Sequence, residues 1–292
     1  KAEPRVVRYL RYKLDGVGFF DNRRTHVFAI EVESGEAQQV TDGDYNDDQP
    51  AWSPDGKWIV FVSDRDRQRH QRHWRTDVWA APAGGGRARK LTRSRGSAAH
   101  PTFSPDGRWI AFAGHEHGDA GVAKNTHLMV IPAGGGTAPV SLRGSLDRPV
   151  AGWPAFMTGR TFDWEPDGRS LLFLAGDRGT QAVYRASVTE ESAAKVLDGE
   201  RQIEAFALSP SGERIAFTAI WTTAPPEVYS TTLAGGAREI NLSHANDEIR
   251  GVAEIAPTRR VQYKAPDGLE IEAFVLYPPD YKKGRAYPLA VN

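Results

Sequence analysis

Four segments of this chain repeat one order of polar and apolar positions. Each opens on a polar turn, Ser53-Pro54-Asp55-Gly56, Ser104-Pro105-Asp106-Gly107, Glu165-Pro166-Asp167-Gly168 or Ser209-Pro210-Ser211-Gly212, at spacings of 51, 61 and 44 residues. Three residues after each Gly stands Ile59, Ile110, Leu171 or Ile215, and two further on Phe61, Phe112, Phe173 or Phe217. Positions between and around them are apolar as well (Val60, Val62, Ala111, Leu172, Leu174, Ala216), which predicts a strand buried on both faces rather than an amphipathic one. In the turns, Pro presets φ at the second position, Asp or Ser bonds the local backbone, and Gly accepts the positive φ that closes a hairpin.

The same rhythm extends on either side. Residues 5–12 are β-rich, 15–18 read as a turn, and strands are expected at 26–32 and 37–41 around Ser34-Gly35. An apolar strand followed by a short closing strand recurs as Val78-Trp79 with Lys90-Leu91-Thr92, and as Leu128-Met129 with Val140-Ser141-Leu142. Further copies are Val183-Tyr184 with Lys195-Val196-Leu197, and Val228-Tyr229 with Glu239-Ile240-Asn241-Leu242. One repeat is therefore four short antiparallel strands. Such a unit buries neither face alone, and recurrence every 44 to 61 residues predicts an all-β fold, a β-propeller. Four full blades are expected at about 50–92, 101–142, 161–197 and 206–242, with most of a fifth before residue 41. Gly and Pro punctuation excludes a helical solenoid; a β-sandwich is the alternative.

In a propeller the loops between blades and between second and third strands open on one face. Here they are an acidic stretch at 42–48, a basic insert at 65–75 (RDRQRHQRHWR), an insert at 115–126 and a long loop at 143–161. After residue 250 the rhythm breaks. A hairpin is predicted from 261–265 and 269–277 around Pro266-Asp267-Gly268, then a last apolar strand at 287–292.

Composition narrows the chemistry. Lys plus Arg number 37 and Asp plus Glu 37, so nothing electrostatic favours nucleic acid or an anionic membrane as partner. Without cysteine there is no disulfide, thiol or Cys-ligated metal. No run approaches a membrane span, and KAEPRVVRYL lacks a signal-peptide apolar core. No Ser has Gly at both minus two and plus two, Gly168-Arg169-Ser170 failing at Leu172, so the elbow of an α/β-hydrolase nucleophile is missing. His115-Glu116-His117 with His100 and His127 has no helical zinc spacing. Asp42, Asp44 and Asn46 start like a calcium loop that Asp47 and Ser53 then break. No metal or other cofactor is expected. The basic insert suits either a substrate carboxylate or plain solvation.

The turns with their following strands resemble the TolB-type propeller repeat. The tail DGLEIEAFVLYPPDYKKGRAYPLAVN resembles the lead-in to the α/β-hydrolase domain of the prolyl oligopeptidase family of serine peptidases, and DGVGFF followed by TDGDYNDDQPAWSPDG resembles its acylaminoacyl-peptidase branch. The resemblance implies a propeller at 1–255 and a linker with the first strands of a hydrolase domain at 256–292. It also implies a catalytic triad beyond Asn292, a cytoplasmic location, and a propeller that gates and contacts short peptides. Candidates for those contacts on the loop face are Asp44, Asp48, Arg72, His100, Arg148, Trp153 and Phe156. The implied partners are a short peptide substrate and the remaining hydrolase domain, with a homo-oligomer left open; these 292 residues alone are expected to be inactive. The alternative is a non-catalytic TolB-like propeller that binds a protein.

Overall fold

The repeated turn builds itself from local hydrogen bonds, and the strands follow from it. In a computed structural model of the chain, Gly56 N donates to Ser53 O (2.9 Å), Ser53 Oγ donates to Asp55 Oδ1 (2.7 Å), and Trp58 N returns to Ser53 Oγ (2.9 Å). Ser104 repeats the three contacts at 2.8, 2.6 and 3.0 Å. Gly56, Gly107, Gly168 and Gly212 all take positive φ, between 65° and 74°. The serine hydroxyls hold the carboxyls of Asp55 and Asp106 below the usual carboxylate range, aided by the backbone N–H of Lys57 and Arg108. At Asp167 burial pushes the other way, and the Ser170 hydroxyl with the Arg169 and Ser170 amides outweighs it.

The structure describes residues 6–7, 12–15, 18–19, 23–65, 75–93, 96–117, 124–142, 144, 146–150, 159–190, 193–234, 238–252, 255–256 and 258–291. A two-residue hairpin, β1 (Lys13–Leu14) with β2 (Gly18–Phe19), is followed by a second, β3 (Phe28–Ile30) with β4 (Ala37–Gln39). Two four-stranded antiparallel sheets come next. One is β5 (Asp47–Trp52), β6 (Trp58–Ser63), β7 (Asp77–Pro82) and β8 (Arg89–Lys90); the other is β9 (Ala98–Phe103), β10 (Trp109–Gly114), β11 (His127–Pro132) and β12 (Val140–Ser141). The third repeat is β13 (Phe162–Trp164), β14 (Ser170–Asp177), β15 (Thr180–Ser187) and β16 (Ala193–Leu197). The fourth is β17 (Gln202–Leu208), β18 (Arg214–Trp221), β19 (Ala224–Thr232) and β20 (Ile240–Asn241). A short helix, α1 (Asp247–Val252), precedes the hairpin of β21 (Thr258–Lys264) and β22 (Glu270–Leu276).

The chain forms two compact units, Lys1–Ala175 with Val183–Lys195, and Gly176–Ala182 with Val196–Asn292. In the first, β6 is buried on both faces, as its apolar run predicts. Val60 and Val62 pack with Val78 and Ala80 against Ile110, Phe112, Met129 and Ile131 of the following sheet. Ile59, Phe61 and Ala81 pack the other way, on Val27 and Val40. Phe61 is fully buried, and truncating such a ring costs about 3–5 kcal/mol. Sheets are also clamped side by side at equivalent positions: Gln38 Nε2 donates to Gly84 O (2.7 Å) and Arg89 Nη1 to Gly134 O (2.9 Å). A hydroxyl follows two of the outer strands, with Val27 N on Thr41 Oγ1 and Val78 N on Thr92 Oγ1, both 3.0 Å. In the second unit Val228 N on Ser243 Oγ does the same at 3.0 Å.

The structure departs from the pattern in three places. The first strands begin at Asp47, Ala98 and Gln202, earlier than 50, 101 and 206, so Asp47 and Asp48 belong to β5 and not to a loop. A bulge, marked by register shifts between Asp48 and Ala51 and at the partner pair Ala111 and Ala113, absorbs Pro50 and Pro101 and lets the strands continue. Helix α1 is new, with Asp247 and Glu248 in its first turn complementing the helix dipole. Residues 287–291 form no strand: a strand needs a pairing partner, and Leu289 and Val291 stand 82% and 87% exposed. The hairpin around Pro266-Asp267-Gly268 forms as expected, with Gly268 N on Ala265 O at 2.8 Å. No helix among the described residues is long and apolar enough to cross a membrane.

Candidate functional site

Three places gather polar side chains, one in the first unit and two in the second. In the first unit, the start of β5 meets the end of β6. Asp47 carries a fully buried carboxylate, and Arg65 Nη2 reaches both of its oxygens (2.9 and 3.0 Å). Arg65 Nε donates to Ser63 Oγ (3.1 Å), and the guanidinium lies over Trp79 (4.7 Å), Tyr45 (5.1 Å) and Phe61 (5.5 Å). The first arginine of the basic insert therefore grips a carboxylate of its own chain, which removes it as a substrate clamp. Sequence reading missed this pair because the partners stand 18 residues apart and Asp47 looked like one acid of a solvated loop.

Next to Asp47, the exposed Asp48 is followed by Gln49 at φ 54°, and His100 takes φ 53° on β9. Both precede proline. Non-glycine residues in this region cost roughly 1–3 kcal/mol and persist where the surroundings over-determine them. Here the two bulges brace one another, His100 N donating to Gln49 Oε1 (2.8 Å). Of the seven expected contact residues, Asp48 and His100 are thus brought to neighbouring bulges. Asp44 lies in the preceding loop and accepts from Arg24 Nε (2.8 Å). Arg148 sits on another loop, with Nη1 on Asp147 O (2.8 Å). Arg72, Trp153 and Phe156 lie outside the described residues.

The two metal-like patterns resolve into ordinary contacts. Asn46 Oδ1 accepts from Thr25 N (3.3 Å) beside the Arg24–Asp44 pair. His115 is buried, and its Nδ1 accepts from His117 N (3.2 Å). Among the described residues no three His, Asp or Glu side chains converge as a metal centre would require.

The second place is a cleft of about 450 Å3 in the second unit. The β14–β15 turn supplies Arg178 and Gly179, the turn before β17 supplies Arg201, the end of β18 supplies Trp221, and the β21–β22 hairpin supplies Thr258, Arg260 and Phe274. Gly179 is required: at φ +72° an added Cβ would fall 2.3 Å from the Phe274 ring. Arg201 is 7% exposed, holds Glu239 with both terminal nitrogens (2.6 and 2.5 Å), and lies over Phe217 and Trp221 (5.1 and 5.4 Å). Arg260 is paired with Glu272 through Nε (2.6 Å) and Nη2. The cleft residues carry no sequence motif: three turns and one hairpin bring them together, and Gly179 in the tight Asp177–Thr180 turn is the one local signal of a constraint.

A third polar group, in the second unit, is structural. Glu227 is buried with no cation against it among the described residues. Ser243 Oγ, the amides of Ala245 (3.0 Å) and Asn246 (2.8 Å), and Asn246 Nδ2 (3.2 Å) all donate to its carboxylate. These bonds, the serine's first, hold its pKa at about 2, against the desolvation that opposes them.

With this geometry in hand, comparison with known proteins identifies the architecture. Residues 19–127 match the TolB beta propeller domain (PD40). Over 99% of its length the chain is 26% identical to the uncharacterized peptidase YuxL of Bacillus subtilis, and over 82% it is 24% identical to a probable dipeptidyl-peptidase 5 of Aspergillus clavatus. It spans only 44% and 33% of those two proteins. The acylaminoacyl peptidase structure from Pyrococcus horikoshii superposes on 94% of the chain with a TM-score of 0.68 at 18% identity, the match taking up 39% of that protein. The fold is therefore that of a β-propeller, nearly all-β and with two separate four-stranded antiparallel sheets at 47–141; residues 19–127 match a TolB-type propeller domain, and the sequence relatives are peptidases.

Proposed function

We propose that this chain is the propeller portion of a serine peptidase of the prolyl oligopeptidase family, acylaminoacyl-peptidase-like, with the propeller at 1–255 and the lead-in to the hydrolase domain at 256–292. The observation that carries the reading is the alignment of 99% of the chain with a peptidase more than twice its length, through the β21–β22 hairpin where the blade rhythm ends. In this reading the catalytic Ser, His and Asp lie beyond Asn292, and the propeller admits short peptides and touches them through loop residues such as Asp48 and His100. Both stand at braced bulges, the kind of strained backbone that clusters at ligand sites.

The match to the TolB beta propeller domain alone also suits a non-catalytic propeller that binds a protein. Reading the gene past Asn292 separates the two. A Gly-x-Ser-x-Gly elbow downstream, and labelling of the longer product by a fluorophosphonate, supports the peptidase. A stop codon, or labelling of the 292-residue chain itself, overturns it.

A further inference from the structure

In the first unit, the β3–β4 hairpin carries an exposed apolar face, and the repeat itself says what belongs on it. We propose that this face takes one further four-stranded sheet of the same repeat, supplied by sequence that precedes Lys1 in a longer product. Backbone hydrogen bonds fix the equivalent positions. Val40 N on Val27 O, Leu91 N on Val78 O and Leu142 N on Leu128 O, all 2.8 Å, make Val27, Val78 and Leu128 one position of the repeat. One, three and five residues on stand Phe28, Ile30 and Val32 in the hairpin, Trp79, Ala81 and Ala83 in the next sheet, and Met129, Ile131 and Ala133 in the sheet after that.

In both later sheets this row faces the sheet that comes before it in the chain. Met129 and Ile131 are buried on Val60, Val62, Val78 and Ala80, with Ala133 packed beside them. Ala81 is fully buried with Val27 and Val40, and Trp79 and Ala83 pack half-buried on the same cluster. In the hairpin the same row, Phe28, Ile30 and Val32, is 52%, 63% and 93% exposed. Apolar side chains on alternate positions share one face of a strand, and an exposed row of them marks an interface. A polar contact points the same way. Six residues on from Val78 and Leu128, Gly84 O and Gly134 O accept from Gln38 Nε2 and Arg89 Nη1 of the preceding sheet. The equivalent carbonyl in the hairpin, Glu33 O, accepts no hydrogen bond among the described residues. The incoming sheet therefore brings a Gln or Arg on its outer strand and small or β-branched side chains against Phe28 and Ile30. Sheets that pack together here follow one another in sequence, which selects an upstream segment over a second copy. The repeat alone carries this, so it holds for the peptidase and for the non-catalytic propeller alike.

Because the chain has no cysteine, a single introduced thiol reports on this face. Ile30→Cys and, as a second site with less to disturb, Val32→Cys are made in the 292-residue chain and in the full product of the gene. Iodoacetamide should alkylate both thiols freely in the 292-residue chain. In the full product it should react at least about tenfold more slowly, after subtraction of the unsubstituted protein, since a covered thiol reacts only when the contact opens. A benzophenone attached to the V32C thiol should then cross-link the full product within itself, to residues before Lys1 in a segment with a Ser/Glu-Pro-Asp/Ser-Gly turn. Equal alkylation in the two forms, a cross-link to a second copy or to residues beyond Asn292, or a gene with no coding sequence before Lys1 overturns the proposal. Fluorophosphonate labelling bears on none of these outcomes.

Discussion

Arg65 in the first unit and Arg201 in the second are built alike up to their last hydrogen bond. Each packs against aromatic rings, Tyr45, Phe61 and Trp79 in one case and Phe217 and Trp221 in the other, and each grips one carboxylate. Around Arg65 the partner carboxylate is closed off: Asp47 is fully buried, and Nε is used on Ser63. Around Arg201 the pair stays open, since Glu239 keeps 31% of its side chain in solvent. A buried pair leaves an uncompensated charge behind when one partner is removed, whereas a partner shared with solvent is easier to replace. The two sequences around these arginines do not announce the difference; the burial of the carboxylate does.

The comparison breaks most directly at Asp47. Asp47→Asn strands the Arg65 charge among three rings, and urea unfolding should show a loss of about 3–5 kcal/mol. A loss below about 1 kcal/mol would mean that the pair is as dispensable as a surface one.

Glu227→Gln sharpens it next, because that carboxylate is buried on N–H and O–H donors alone and the amide would face several of them. Its folded pKa of about 2 lies below the ordinary 4.5, so its stabilisation is complete above about pH 4.5 and is lost as pH falls through about 2. Thermal melts should therefore show the variant well below wild type at neutral pH, with the gap narrowing across that window. A gap independent of pH would remove the carboxylate's charge from the account.

Glu239→Gln, at the open network, should cost only about 1–2 kcal/mol, since solvent already shares that side chain. A loss as large as that of D47N would place the two arginines in one class. The smallest effect belongs to the repeated turn: Ser53→Ala deletes one hydroxyl that bridges Asp55 and Trp58, worth about 1 kcal/mol in the same assay.

What could be read in advance follows the range of the interactions. The turn-plus-strand repeat was legible because Pro, Asp and Gly act within four residues, and a strand buried on both faces writes an unbroken apolar run such as 58–63. The closing Thr41 and Thr92 could be seen as repeats, though not as the hydroxyl acceptors they are. Asp47 with Arg65 was illegible, since a bulge at Gln49 had to pull two acids out of a loop and into β5. So was the cleft, whose lining comes from turns at 178–179, 201 and 221 and from a hairpin beginning at 258. The strand expected at 287–292 shows the opposite error, an apolar pattern read without asking what would pair with it.

The outer strands β8, β12 and β20 have a further consequence, for how this chain behaves in crowded solution. Each is two residues long, so each offers almost no free ladder on which another copy could add a strand. β16 runs five residues, Ala193–Leu197, and is the longest of these edges. When the protein is heated or concentrated until copies associate edge to edge, that association is expected to start at β16. A charge or proline placed there is the first remedy to try.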